Sequence, residues 1–167
     1  MLPTRAGLSV VHFVKLELID PDGRVVSDNL YWKETTPDGL TALDTIPDAE
    51  LEGRISRRDA GGNCLLDLTL SNPTRHIAVM AHVQLRNQRT NRRVLPVYYS
   101  ENYVSLLPGE SRTIMIEAAL EDLGGARLLI VVDGWNVTAE AMDFPDNGGA
   151  RIATNDNARV LRPQARN

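Results

Sequence analysis

Polar and apolar residues alternate with a period of two along most of this chain, and Gly, Pro, Asn and Asp interrupt the pattern at regular spacing. That period marks strands with one face in a core and one in water. The alternation predicts a strand over 9–20 with Val14, Leu16 and Leu18 on one face and Lys15 and Glu17 on the other. Pro21-Asp22-Gly23-Arg24 is a hairpin turn, because Pro presets φ and Gly accepts a positive φ, so 25–32 is the return strand. Residues 33–48 show no period and read as a long functional or crossing loop.

Further strands follow in rhythm. Residues 51–57 face Leu51, Gly53 and Ile55 inward, and 64–71 do the same with Cys64, Leu66, Leu68 and Leu70. Residues 76–86 turn Ile77, Val79, Ala81, Val83 and Leu85 inward, with His82, Gln84 and Arg86 outward. Strands are expected at 94–99, 103–107 and 111–118, the last with Ile114 and Ile116 inside. A connector at 120–125, one helical turn long at most, precedes an almost continuous apolar strand at 127–132, the pattern of burial on both faces. No window holds a period of 3.6. Roughly eight or nine short antiparallel strands with regular turns indicate an all-β sandwich, with a closed barrel as the alternative. Residues 1–8 read as a linker, 9–137 as the sandwich, and 138–167 as a polar tail in which 151–153 and 160–161 are candidate edge strands.

The totals narrow the function. The 167 residues suffice for one domain with a real core, and a net charge of −4 disfavours a nucleic-acid partner. Cys64 is the single cysteine, which excludes an internal disulfide and a multi-cysteine zinc site. No apolar run reaches the length of a membrane span, and the first residues lack the pattern of a signal peptide.

Candidate chemistry is sparse. Asp28, Glu34, Glu101 and Asp133 are the acids to consider as a carboxylate pair. Asp28 and Glu101 stand in matching contexts, Ser27-Asp28-Asn29-Leu30-Tyr31 and Ser100-Glu101-Asn102-Tyr103-Val104. Either they form a polar cluster at one end of the sandwich, or Asp and Asn bend the strand by bonding their own backbone. His12, His76 and His82 have no metal-ligand spacing, and no Ser sits in a nucleophile elbow. Asp143, Asp146, Asn147, Asn155, Asp156 and Asn157 carry hard oxygens for calcium without EF-hand spacing. No glycine pair forms a phosphate loop. Arg86, Arg89, Arg92 and Arg93 gather around one loop, as a solvated hairpin end or a contact for an acidic neighbour. Tyr99, Tyr103, Trp32 and Trp135 are either core plugs and interface anchors or a platform for sugar rings. No cofactor site is read.

Three segments in order carry a family likeness: VVSDNLYW at 25–32, RVLPVYYSENYVSLLPGE at 93–110, and GWNV at 134–137. Together they resemble the C-terminal immunoglobulin-like domain of glycoside hydrolase family 2 enzymes, especially exo-β-D-glucosaminidases and β-mannosidase relatives. That domain carries a VSDN-aromatic motif, then VLPVFWSDNYFSLLPGE, then GWN. Here Glu101 replaces Asp, and Tyr98-Tyr99 replaces Phe-Trp. The resemblance implies an immunoglobulin-like fold and a parent enzyme that cleaves β-linked amino sugars with retention. It places the two catalytic glutamates on a separate (β/α)₈ barrel, outside this chain. It implies an accessory domain of an extracytoplasmic hydrolase, with other parent domains as partners and no catalytic residue of its own. Glu101, Asn102, Tyr103, Tyr99, Trp32, Trp135, Asp28 and Asn29 are then the residues expected at an interface or facing β-linked glycans. An autonomous carbohydrate-binding module is the alternative.

Overall fold

The computed structural model describes residues 7–143, and they fall into two compact units, one ending at Pro47 and one starting at Asp48. Of the expected tail at 138–167, the part from Phe144 onward, including both candidate edge strands and all its calcium-type oxygens except Asp143, lies outside the described residues.

The first unit is a hairpin of β1 (Val11–Ile19) and β2 (Val25–Glu34), followed by a 3₁₀ turn at Gly39–Thr45. The two strands form a sheet of their own, pairing Phe13 with Trp32 and Lys15 with Leu30. The turn closes on Asp20, whose Oδ1 accepts the Asp22 and Arg24 N–H groups at 3.0 and 2.8 Å. One face holds the Phe13 and Trp32 rings edge to face, 6.4 Å apart, beside Lys15 bonded to Glu17 and Asp28. The other face carries Leu16, Leu18 and Tyr31, all exposed. The two faces divide as the alternation expects, with Leu16 and Leu18 on the exposed one and Lys15 on the half-buried one. Period two marks the faces of a hairpin but cannot say which face is covered.

The second unit is the all-β sandwich that the alternation indicated. One sheet has the order β3-β4-β8-β6, from Glu52–Ala60, Asn63–Ser71, Ser111–Ala119 and Tyr98–Tyr99. The other has the order β10-β9-β5-β7, from Glu140–Asp143, Leu128–Asp133, Ala78–Asn87 and Val104–Leu106. Every pairing between these strands is antiparallel. One helical turn, α1 (Leu120–Leu123), links β8 to β9. Inward side chains from both sheets form one core, with Leu66, Leu68, Leu70, Ile114 and Ile116 on one side and Val83, Leu85, Leu106, Ile130 and Val132 on the other. Each fully buried branched side chain contributes about 1.5–3 kcal/mol. Gly53 leaves room for the buried Met142 thioether, since an added Cβ would meet its Cε at 2.6 Å. The 127–132 strand is not buried on both faces: Leu129 and Val131 are half-exposed on its outer side.

Two irregularities depart from simple alternation. Met80 has a positive φ of 55°, and the β5–β7 register shifts between Ala78 and Ala81. Ala78, Val79 and Ala81 are therefore all buried, which a strict period of two forbids. Of the expected 94–99 strand, only Tyr98–Tyr99 pairs with β8.

Candidate functional site

Residues 93–106 pass back and forth between the two sheets. Arg93 and Val94 lie against β5, where Arg93 bridges Arg86 and the Val94 N–H donates to Leu85 O at 2.9 Å. Tyr98–Tyr99 crosses to β8, and Ser100 fixes the end of that pairing. Its N–H donates to Met115 O, and its Oγ accepts the Met115 N–H, both at 2.9 Å. Val104–Leu106 then returns to β5.

This path explains Asn102 and Tyr99. Beyond Ala81, β7 no longer covers the edge of β5, and open strand edges require partners. Asn102 supplies them at Val83: its Oδ1 accepts the Val83 N–H at 2.8 Å, and its Nδ2 donates to Val83 O at 2.9 Å. One side chain thus stands in for a strand residue. Two residues on, the Tyr99 hydroxyl accepts the Leu85 N–H at 3.0 Å, so β6 of one sheet is tied to β5 of the other. Burial pushes the Tyr99 hydroxyl above its ordinary pKa, opposed by that Leu85 N–H and by the Arg93 charge. Tyr103 takes a left-handed backbone with φ of 55°, costly for a bulky residue. Two contacts hold it: the Asn102 Oδ1 accepts its N–H at 2.8 Å, and its ring stacks on His82 at 4.5 Å and 4°.

The outer face of β5 carries a polar cluster. His82 Nδ1 lies 2.9 Å from Asp133 Oδ1, and Gln84 Nε2 donates to Asp133 Oδ2 at 3.0 Å. The Gln84 carbonyl accepts from Arg86 Nη2 at 2.6 Å and from Arg93 Nε at 3.0 Å. Gln84 is only 3% exposed although it points away from the core. Its outward position was legible in the sequence, but its role as the centre of this cluster was not. The available signal was His82, Gln84 and Arg86 at alternate positions with Arg93 close by. A cavity of about 90 Å³ opens beside Arg93, Leu95, Tyr99 and Asn102, and among the described residues no Asp or Glu lines it.

The remaining candidates sit as follows. Glu101 is half-buried and accepts from Arg112 Nη1 at 3.4 Å. Trp135 lies beyond β9 as a residue 53% exposed, and its backbone N–H donates to Val79 O. The neighbours of Trp135 are structural. Asn136 accepts the Val79 N–H and donates to Ile77 O, each at 2.8 Å. A Cβ on Gly134 would meet Met80 O at 3.0 Å. Asp28, Asn29 and Trp32 belong to the hairpin of the first unit, where Asp28 bonds Lys15 at 3.4 Å. Asp28 does not bend its strand, because β2 runs unbroken through it. The matching Ser-acid-Asn contexts therefore have different structures, a mid-strand ion pair in one case and a corner between sheets in the other.

Two packed antiparallel sheets, a chain that changes sheet at an Asn-anchored corner, and a core shared by both faces define an immunoglobulin-like β-sandwich domain. The chain belongs to the exo-β-D-glucosaminidase Ig-fold domain family, which matches residues 29–137. It is 30% identical over 156 residues to an exo-β-D-glucosaminidase of Streptomyces avermitilis, covering 81% of this chain and 17% of that enzyme. A shorter stretch of 65 residues, 39% of this chain and 7% of the relative, is 38% identical to a mannosylglycoprotein endo-β-mannosidase of Lilium longiflorum. The crystal structure of the Amycolatopsis orientalis exo-chitosanase CsxA superposes with a TM-score of 0.76 at 26% identity, covering 86% of this chain and 19% of that one. The chain thus spans about a sixth of the length of the relatives that it matches over most of its own length.

Proposed function

We propose that this domain is a non-catalytic accessory part of an exo-β-D-glucosaminidase-like family 2 glycoside hydrolase. It packs against the catalytic barrel and neighbouring sandwich domains, borders the glycan cleft, and works outside the cytoplasm with its parent enzyme. The observation that carries this reading is the family match over 29–137, in relatives of which the chain spans only 16–17%. Two features support it. The corner residues are committed to the fold: Asn102 and Tyr99 close the edge of β5, and Glu101 is bonded to Arg112. The exposed apolar face of the hairpin, with Leu16, Leu18 and Tyr31, suits burial against another layer, since a lone two-stranded sheet is marginal in water.

The exposed Trp135 and the Tyr103–His82 stack favour a second reading, a carbohydrate-binding module. Calorimetric titration of the chain with chitosan oligosaccharides separates the two. The accessory reading expects millimolar affinity or none. Micromolar binding that is lost in Trp135→Ala or Tyr103→Ala would establish the module instead.

A further inference from the structure

Arg86 and Arg93 meet at a single neutral acceptor. Arg86 donates to Gln84 Oε1 from Nε at 3.2 Å and from Nη2 at 2.6 Å, and Arg93 donates to the same oxygen from Nε at 3.0 Å. The remaining Arg86 bonds, to Asn91 O and Oδ1 at 3.2 Å, are also to neutral groups. Two guanidinium charges therefore converge with no carboxylate on either among the described residues. The nearby acids are engaged elsewhere: Asp133 by His82 and Gln84, Glu101 by Arg112. Arg93 holds its Nε against Gln84 and leaves both Nη groups without a partner among the described residues, the fork that reads a carboxylate in two parallel bonds.

The setting is built rather than loose. The 87–93 loop is tied to itself by Asn87, whose N–H donates to Arg92 O at 2.9 Å and whose Oδ1 accepts the Arg89 and Thr90 N–H groups at 3.0 and 3.1 Å. Arg93 also borders the 90 Å³ cavity, large enough for the end of an acidic side chain and lined by no acid among the described residues. Leu95 and Tyr98, 75% and 70% exposed, lie close by in the sequence. Exposed Arg, Tyr and aliphatic side chains together are the composition of a protein interface.

We propose that Arg86, Arg93 and this cavity form a carboxylate-binding site that receives an Asp or Glu side chain from another domain of the parent polypeptide. The proposal rests on the accessory reading, because that reading places most of the polypeptide outside this chain. Charge complementarity selects the occupant: Arg86 and Arg93 converge on one neutral acceptor, and a carboxylate supplies the opposite charge.

The test follows the Arg Nε–H resonances of the chain during NMR titration with N-acetyl-glutamate methylamide, at constant ionic strength. Saturable shifts at Arg86 and Arg93 are expected in the millimolar range, with none from the N-acetyl-glutamine analogue. Arg93→Gln is expected to weaken the response about tenfold, Arg93→Lys less, and Arg89→Gln not at all. Amide spectra confirm that each variant is folded. Three results would overturn the site: no saturable shift, equal or tighter binding of sulfate, or binding only after truncation at Asp143, which would make the chain's own tail the occupant. Micromolar chitosan binding removes the accessory reading itself. A silent carboxylate titration beside a silent chitosan titration removes only this site.

Discussion

Asn102→Ala is the sharpest perturbation of this fold. The side chain makes three hydrogen bonds of 2.8–2.9 Å, two to Val83 and one to Tyr103. Removing it leaves the Val83 N–H and carbonyl without that partner at an edge that no strand among the described residues covers. At about 1 kcal/mol net for each bond, the loss is about 3 kcal/mol, with partial rescue by water lowering it and orphaned partly buried groups raising it. In a chain of 167 residues that is a fall in Tm of about 6–12 °C. The backbone N–H of Tyr103 also loses the acceptor that helps to hold its left-handed conformation. Urea denaturation followed by circular dichroism measures the loss. Asn102→Asp should fall between the parent and the alanine variant, because it keeps the acceptor and loses the Nδ2 donor. A loss of less than about 1 kcal/mol for Asn102→Ala would refute the view that this side chain substitutes for a strand.

Three further outcomes are expected. Glu101→Gln should change stability by less than about 0.5 kcal/mol in the same denaturation assay, because its half-exposed pair with Arg112 at 3.4 Å is weak. Gly134→Ala should cost about 1–3 kcal/mol, since the new methyl would meet Val137 Cγ2 at 2.8 Å and the Met80 carbonyl at 3.0 Å. Burial and the charge of Glu50 raise the Glu140 carboxyl above its ordinary range, so the folded state holds that proton more tightly than the unfolded chain does. Stability from this group is therefore lost as pH rises from the ordinary glutamate value of about 4.3 through the raised folded value. Glu140→Gln should raise Tm at neutral pH, and the gain should vanish in melts below the ordinary glutamate value.

Alternation carried most of the sandwich. Cys64, Leu66, Leu68 and Leu70 alternate without interruption and all lie in the core, because β4 is paired on both sides and follows the regular pleat. The same logic failed for 76–86 at Met80, where the bulge puts Ala78 and Val79 both inside; a bulge is a matter of register with β7, which local sequence does not display. For the hairpin it separated Leu16 and Leu18 from Lys15 and Glu17 but did not say which face is covered, because that depends on what packs over the hairpin. The importance of the 93–110 segment was legible in its aromatic and turn residues. That Asn102 and Tyr99 serve the β5 edge was not, since the edge appears only when β7 stops short of Val83. Gln84 escaped for a similar reason: its partners are Arg86 of its own strand and Arg93 from beyond the following loop, not the core.

The central claim is that this domain supports a hydrolase without performing the reaction. The most direct measurement is turnover of p-nitrophenyl β-D-glucosaminide by the chain alone, beside Glu101→Gln and Asp133→Asn variants. No release of p-nitrophenol above the buffer blank is expected for any of the three. Turnover by the chain that either substitution abolishes would contradict it and place a catalytic acid on the sandwich.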